Sequence, residues 1–339
     1  MKSKFLLIAA VALAYAGIAS TASAGTLDDV KKKGFLQCGV NTGLPGFGNA
    51  DQNGNWTGID VDYCKAVALA VFGDASKVKY TPLDAKERFT ALQSGEIDML
   101  ARNTTWTMGR DTTLGFIFSV VNYYDGQGVM VKKELNVQHV KDLDGASICV
   151  QSGTDTEFNL ADYFKHNNIT YKPVVFEKLP DALAAYDSGR CDAYTTDKSG
   201  LYASRLQLKN PDDNIVLPET LSKEPLGPVV RNDDVQWADI IKWVHFALLD
   251  AEELGVTKAN VDDMLKSDNP SIKRLLGVEG DFGKSIGLDN KWAYNIIKAL
   301  GNYGEIFDST VGKDSPLKID RGINNLWTNG GLQYGMPIV

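Results

Sequence analysis

Two stretches of this chain share one pattern: Ala91–Leu100 reads ALQSGEIDML, and Ala185–Tyr194 reads AYDSGRCDAY. In each, a helical pattern ends at Ser-Gly, and an Asp follows shortly before an apolar strand. Turns of this kind join a helix to a parallel strand in β-α-β units. We interpret the repeat as one helix-to-strand turn used twice, and we expect two α/β units of similar plan.

Strand and helix patterns alternate around both stretches. Around the first we predict strands at Phe35–Val40, Lys77–Leu83 and Ile97–Ala101, and helices at Asp60–Phe72 and Ala85–Gln93. Around the second we predict strands at Ser147–Gln151, Tyr171–Phe176 and Cys191–Thr196, and helices at Thr154–His166, Pro180–Ser188 and Lys198–Leu208. This alternation predicts the α/β class with parallel sheets.

Two extended runs flank the second unit, NYYDGQGVMVKK at Asn122–Lys133 and EPLGPVVR at Glu224–Arg231. A chain that leaves the first unit, forms the second and then returns would make two hinge crossings. We therefore predict two lobes, with residues 25–130 and 225–339 in lobe 1 and residues 131–224 in lobe 2.

The segment after the second crossing has a strongly amphipathic helical pattern at Gln236–Leu254. The tail from there to Val339 is rich in glycine and aromatic residues, so it is too apolar for a disordered linker. We expect both segments to pack on lobe 1.

The N-terminus has the features of a secretory signal peptide. Lys2 and Lys4 precede an apolar run, and Ala22-Ser23-Ala24 fits the small-residue cleavage pattern. We expect residues 1–24 to be removed and the protein to be periplasmic. A membrane anchor is the alternative, but the apolar run is short for a span of about 20 residues.

No later segment of the chain is long and apolar enough to cross a membrane. The net charge of −8 argues against nucleic acid as a partner.

Export makes disulfides plausible, and four cysteines permit three pairings. We favour Cys38–Cys64 and Cys149–Cys191, because each pair would stay within one lobe. Four buried free thiols are the alternative. No C-x-x-C motif is present and the three histidines lie far from the cysteines in the chain, so we expect no metal site.

The two repeated stretches lead to residues of opposite charge. The first runs into Asn103 and Thr105 and ends at Arg110; the second runs into Asp197. Ligands bind at the carboxyl ends of strands in such sheets, so both segments should face one cleft. An arginine suits a carboxylate and a buried aspartate suits an ammonium group, which favours a zwitterionic ligand. The alternatives are a surface ion pair for Arg110 and a helix cap for Asp197.

Other polar residues are candidates for the same cleft. Ser152 and Thr154 stand between a strand and a helix, where hydroxyl and backbone N–H groups could bind a carboxylate; an ordinary helix cap is the alternative. Arg88 lies in the helix before the first repeat and could reach a ligand side chain or lie on the surface. No nucleophile-elbow or metalloprotease motif is present, so we expect neither an enzyme nor a cofactor.

From Thr26 to Val339 the chain resembles the periplasmic polar-amino-acid-binding proteins of ABC importers, the family-3 solute-binding proteins, and in particular their general L-amino acid-binding branch. The resemblance rests on motifs along the chain: GNWTGIDVDYCKAVA, KERFTALQSGEIDML, RNTTWT, NYYDGQG, VQSGT, SGRCDAYTTD, KEPLGPVVR, NYGEIFDSTVG and GINNLWTNGGL. It implies the type II periplasmic-binding-protein fold, two α/β lobes closing on a free L-amino acid for delivery to an inner-membrane ABC permease. It also implies a monomer without a cofactor.

The resemblance assigns a role to most of the candidates. Arg110 matches the arginine that holds the ligand α-carboxylate, with Thr154 as a contact from lobe 2. Asn103 and Thr105 match lobe-1 contacts to the α-amino and α-carboxylate groups, and Asp197 matches the acidic residue that holds the α-ammonium. Arg88 matches an arginine that meets the side-chain carboxylate in binders of acidic amino acids.

The chain departs from the family at the aromatic residues that basic-amino-acid binders stack on their ligand. Leu44 and Ala85 stand at those places, with Phe47 or Trp106 as candidate substitutes. The departure favours broad or acidic-leaning specificity over strict cationic specificity. Two rival functions remain: a periplasmic enzyme on the same scaffold, similar to cyclohexadienyl dehydratase, and a ligand carrier that docks a chemoreceptor.

Overall fold

The computed structural model describes residues 25–339, so the predicted signal peptide and its cleavage site lie outside the described residues. The first part of the chain contains helices α1 (Thr26–Lys33), α2 (Ile59–Phe72) and α3 (Arg88–Gln93). Its strands are β1 (Leu36–Asn41), β2 (Asn49–Ala50), β3 (Trp56–Thr57), β4 (Val78–Leu83), β5 (Met99–Leu100) and β6 (Phe116–Phe118).

The second part is built in the same way. Its strands are β7 (Tyr123–Lys132), β8 (Ala146–Gln151), β9 (Tyr171–Phe176), β10 (Ala193–Asp197) and β11 (Asn214–Val216). Its helices are α4 (Asp155–His166), α5 (Leu179–Asp187) and α6 (Lys198–Arg205). The chain continues through β12 (Lys223–Leu226) and β13 (Val229–Arg231) into α7 (Val235–Glu253), α8 (Val261–Met264), α9 (Pro270–Leu275), α10 (Phe282–Ser285), α11 (Trp292–Leu300) and α12 (Tyr303–Thr310).

Two sheets of matching strand order form the cores of the two units. One has the order β4-β1-β5-β13-β6, and the other has β9-β8-β10-β7-β11. In each, three parallel strands are followed by an antiparallel strand that belongs to a crossing segment. The predicted α/β class is confirmed. The units are joined where β7 and β12 pair antiparallel, from Tyr123 opposite Leu226 to Gly126 opposite Lys223.

The repeated sequence pattern adopts the same turn in both units. Its glycines have positive φ, +77° at Gly95 and +79° at Gly189, a region that favours glycine. The aspartate of each turn then accepts the backbone N–H at the neighbouring parallel strand: Asp98 from Gln37 at 2.7 Å, and Asp192 from Ser147 at 2.8 Å. The repeat is therefore a structural device that starts a strand.

Most element bounds differ from the prediction by one to three residues. The helix predicted from Ala85 begins at Arg88, because Ala85–Glu87 form a turn, and the strand predicted over Ile97–Ala101 is shortened to β5. The predicted disulfides are confirmed: Cys38 pairs with Cys64 and Cys149 with Cys191, with Cα separations of 6.1 and 5.6 Å. Each bridge stabilises the fold by roughly 3–4 kcal/mol on a chain-entropy model.

The C-terminal tail packs against the first unit, with α11 and α12 on α2 and α7. It also holds the first crossing. Asn324 donates to the backbone oxygen of Tyr124 at 2.9 Å and accepts from its nitrogen at 2.7 Å, while Tyr303 donates to the Asn122 oxygen at 2.9 Å. Among residues 25–339, no helix has the length and apolar character needed to span a bilayer.

Candidate functional site

A small cavity of about 30 Å³ lies between the two units, at the carboxyl ends of the central strands. Its wall includes Arg88, Asn103, Thr105, Thr154 and Asp197, all of them predicted site residues. The other two predicted residues are not part of the wall itself. Arg110 contacts the wall residues Thr105 and Asp155, and Ser152 follows the wall residue Gln151 in the chain.

Asn103 is held in place from three sides. Its backbone has a φ of +33°, and Asp60 accepts its N–H at 2.7 Å. Its side-chain oxygen accepts from Asn41 at 3.0 Å, which turns its amide nitrogen toward Asp197 Oδ2 at 3.5 Å. Burial raises the pKa of Asp60 to about 7, although the Asn103 N–H and Arg102 oppose the rise. Asn103 therefore links the segment that follows β5 in the first unit to the second unit.

Arg110 sits in a π-helical turn, Gly109–Thr113, of a kind frequently found at functional sites. Its guanidinium is buried against the Phe89 ring and donates to the Thr105 oxygen at 2.8 Å. It also pairs with Asp155 of α4 at 3.2 Å. Burial acts to raise the pKa of Asp155, but the charge of Arg110, a hydrogen bond with Glu224 and the charge of Arg88 together hold that pKa below its usual value. Arg110 thus makes a buried ion pair across the cleft, not the surface pair considered from the sequence.

Arg88 is buried and aimed at the same region. It contacts Thr104 Oγ1 at 3.3 Å and lies over the Phe89 ring, yet its Nε has no partner among the described residues. Burial lowers its pKa, and the charges of Arg110 and Arg102 lower it further. Three guanidinium groups therefore crowd the side of the cleft formed by the first unit.

Asp197 occupies the N-terminal end of α6 without capping it. Its side chain accepts no helix N–H; the cap comes from Asp125 of β7, which accepts the Ser199 N–H at 3.2 Å and the Ser199 hydroxyl. Burial raises the pKa of Asp197, and the nearby carboxylates of Asp125 and Asp155 raise it further. The helix-cap alternative is thereby removed, and the carboxylate is left facing the cleft.

The Ser152–Thr154 turn does not cap its helix through side chains either. Thr154 donates to the Gln151 oxygen at 2.6 Å, and the buried Ser152 Oγ has no partner in the described part of the chain. Gly153 has a φ of +76°, and a Cβ there would lie 2.7 Å from Lys86 Cγ of the first unit. Glycine thus lets the two units approach closely at the edge of the cleft.

Sequence reasoning missed three groups near the cavity and left open the positions of two aromatic side chains. Asp155 and Tyr194 line the cavity, and Glu224 lies fully buried behind it. No local sequence pattern marks any of the three, because each reaches the site only when separate elements pack together. Phe47 is buried against Tyr123 at 5.5 Å, and Trp106 stacks on Phe118 at 5.7 Å; neither lines the cavity.

The cleft as a whole has walls of opposite charge. The first unit contributes the guanidinium groups of Arg88, Arg102 and Arg110, and the second contributes the carboxylates of Asp155 and Asp197. Among residues 25–339, no cluster of histidine, cysteine and acidic side chains suits a metal ion. Two hinged α/β units around a polar cleft define the class of two-lobed solute-binding proteins.

The chain belongs to the bacterial extracellular solute-binding proteins, family 3, whose model it matches over residues 36–330. It is 65% identical to the general L-amino acid-binding periplasmic protein AapJ of Rhizobium johnstonii, with both chains covered completely. It is 56% identical to the glutamate/glutamine/aspartate/asparagine-binding protein BztA of Rhodobacter capsulatus, over 96% of this chain and 97% of BztA. A solved periplasmic binding protein from Brucella ovis with glutathione bound is 62% identical, with a TM-score of 0.92, covering 93% of this chain and all of that one.

Proposed function

We propose that this protein captures free L-amino acids in the periplasm and delivers them to an ABC permease of the inner membrane. The observation that carries the proposal is the charge division of the cleft, with guanidinium groups from one unit and carboxylates from the other. A zwitterion with its carboxylate toward Arg110 and its ammonium toward Asp197 pairs with the opposite charge on each wall of the cleft. The names of the relatives, general and acidic or amide amino-acid binders, agree with this choice.

Binding would be coupled to closure of the hinge. Both units supply contacts, so the ligand stabilises the closed arrangement by its higher affinity for it. The exposed pair Lys86–Glu177 and the buried pair Arg110–Asp155 already join the two units. We infer that the protein acts as a monomer, since one chain holds both walls of the site.

The ligand range extends to larger molecules with a free α-amino acid end. Glutathione, named for the Brucella relative, carries such an end on its γ-glutamyl residue. The same two walls could bind that end, with the rest of the peptide toward the cleft opening.

An enzyme on this scaffold and a chemoreceptor-docking carrier are the rival functions. The cleft contains no histidine among its lining residues to serve as general acid or base, and we propose that the protein is not an enzyme. A bound ligand recovered unaltered, together with loss of uptake on deletion of the protein, would favour transport over both rivals.

A thermal-shift panel of the twenty proteinogenic amino acids and glutathione tests the proposal. A ligand that binds only the folded state raises the melting temperature. We expect shifts for several L-amino acids, the acidic and amide ones among them, and none for their D-enantiomers. Absence of any shift across the panel would contradict the proposed function.

A further inference from the structure

Ser204 has a buried hydroxyl group that makes no hydrogen bond within the protein. It lies in α6, is fully buried, and forms part of the cavity wall between the two units. A serine inside a helix can donate to the backbone oxygen one turn earlier. Ser204 Oγ does not, and it has no hydrogen-bond partner among residues 25–339. A buried polar group left unpaired is costly, so its presence in the wall of a cleft calls for an explanation.

The Tyr194 phenol lies beside Ser204. Tyr194 lines the same cavity from β10. Burial raises the pKa of Tyr194 and the charge of Asp197 raises it further, while the neighbouring hydroxyl groups of Ser204 and Thr196 act to lower it. The phenol is thus near Ser204 Oγ without forming a well-aligned hydrogen bond to it. Adjacent positions on β10 and α6 therefore bring hydroxyl groups together in the wall.

Asp197, Gly200 and Ser204 lie on one face of α6. They are three and four residues apart, which is the spacing of neighbours on a helix surface, and all three line the cavity. Seven residues with a rise of about 1.5 Å each place Asp197 and Ser204 about 10 Å apart along the helix. Gly200, between them, has no side chain to occupy this stretch of the face.

The distance from Asp197 to Ser204 suits an amino acid with a side chain of the length of glutamine. An extended L-glutamine with a hydrogen bond of about 3 Å at its ammonium and another at its side-chain end spans roughly the same 10 Å. Leu44 of the first unit and Leu179 of α5 also line the cavity and offer apolar contacts to the methylene groups. With its ammonium at Asp197, such a ligand reaches Ser204 with the end of its side chain.

We propose that Ser204 and the Tyr194 phenol bind the polar end of the ligand side chain, a carboxamide or a carboxylate. A hydroxyl group donates to a carboxylate or carbonyl oxygen and accepts from an amide N–H, so the same two groups serve acidic and amide amino acids. The inference rests on the proposed function and deepens it, because it assigns the part of the cleft that selects the side chain.

The substitution Ser204→Ala tests this assignment with two ligands, L-glutamine and L-norvaline. The norvaline side chain ends in a methyl group at the position where glutamine has its carboxamide. By calorimetry we expect Ser204→Ala to bind L-glutamine about tenfold more weakly than the wild type does, as is typical when the partner of a buried polar group is removed. The affinity for L-norvaline should change by less than about twofold, because its methyl group makes no hydrogen bond.

Two further variants separate side-chain recognition from general stability. Tyr194→Phe removes the second hydroxyl group and keeps the ring, so it should also weaken L-glutamine more than L-norvaline. Ser188→Ala is the matched control, since Ser188 is exposed at the end of α5 and donates to the Ala185 oxygen at 3.1 Å. It should bind both ligands as the wild type does. A purely structural role of Ser204 would lower both affinities alike.

Equal losses for the two ligands in Ser204→Ala, or an unchanged affinity for L-glutamine, would overturn the inference. The second result would show that the side chain ends elsewhere in the cleft. Failure of the wild type to bind any L-amino acid would contradict the proposed function itself, and the wild-type titration alone reveals that outcome.

Discussion

Asp197 is available to a ligand because the carboxylate of Asp125, and not that of Asp197, caps α6. A residue at the N-terminal end of a helix ordinarily accepts a helix N–H. Here Asp125 reaches across from β7 to cap α6, and Asp197 is left buried and directed at Asn103. The sequence predicted that Asp197 lies at the end of the strand that is β10. It could not predict which residue caps α6, because Asp125 is far from α6 in the chain.

Removing either charged contact should weaken binding without unfolding the protein. We expect Asp197→Ala and Arg110→Ala each to reduce L-amino-acid affinity at least tenfold, since hydrogen bonds to charged groups contribute about 1.5–3 kcal/mol. Calorimetry provides the measurement. Asp192→Ala is the matched control: Asp192 lies just before the same strand, β10, and is exposed, so its loss should leave affinity unchanged. An unchanged affinity in Asp197→Ala would contradict the assignment of the ammonium contact.

Elements were predictable where the signal is local. The Ser-Gly turn with its aspartate, the alternation of strands and helices, and the cysteine pairs within units all depend on neighbours in sequence or on one unit's plan. The contacts of Asp155, Tyr194 and Glu224 were not predictable, because they exist only when separate elements meet at the cleft. The packing of Phe47 was not predictable for the same reason: its partner, Tyr123, belongs to a crossing strand.

His245 connects three elements and should make their packing sensitive to acid. It lies buried in α7, with Tyr63 of α2 at 2.5 Å and Gln333 of the tail at 3.2 Å. Burial lowers its pKa from 6.5 to about 3. Between these values the unfolded chain binds a proton that the folded protein does not. Stability should therefore fall with decreasing pH across this range, by at most about 1.4 kcal/mol per pH unit from this residue.

Urea unfolding at pH 7 and at pH 4.5 measures the effect. His245→Gln should show a smaller loss of stability between the two pH values than the wild type. His166→Gln, at an exposed position near the end of α4, should behave like the wild type. Parallel losses in all three proteins would show that other groups, and not His245, dominate the acid response.

The arrangement of the two units around one cleft explains why units of similar fold can bind an asymmetric ligand. Matching sheets direct their strand ends to one cleft, and the residues that follow the repeated turn differ between the units. One unit supplies guanidinium groups and the other carboxylates, so the hinge closes two walls of opposite charge on one ligand. The tail holds the first crossing through Asn324 and Tyr303 and thus fixes one side of the hinge.

Recognition of both ends of a zwitterion is the central claim, and calorimetry with L-glutamine and two blocked analogues tests it most directly. N-acetyl-L-glutamine lacks the ammonium, and L-glutamine α-amide lacks the carboxylate. We predict that L-glutamine binds and that each analogue binds at least tenfold more weakly, because each leaves one charged wall unpaired. Binding of either analogue as tightly as L-glutamine would contradict the account.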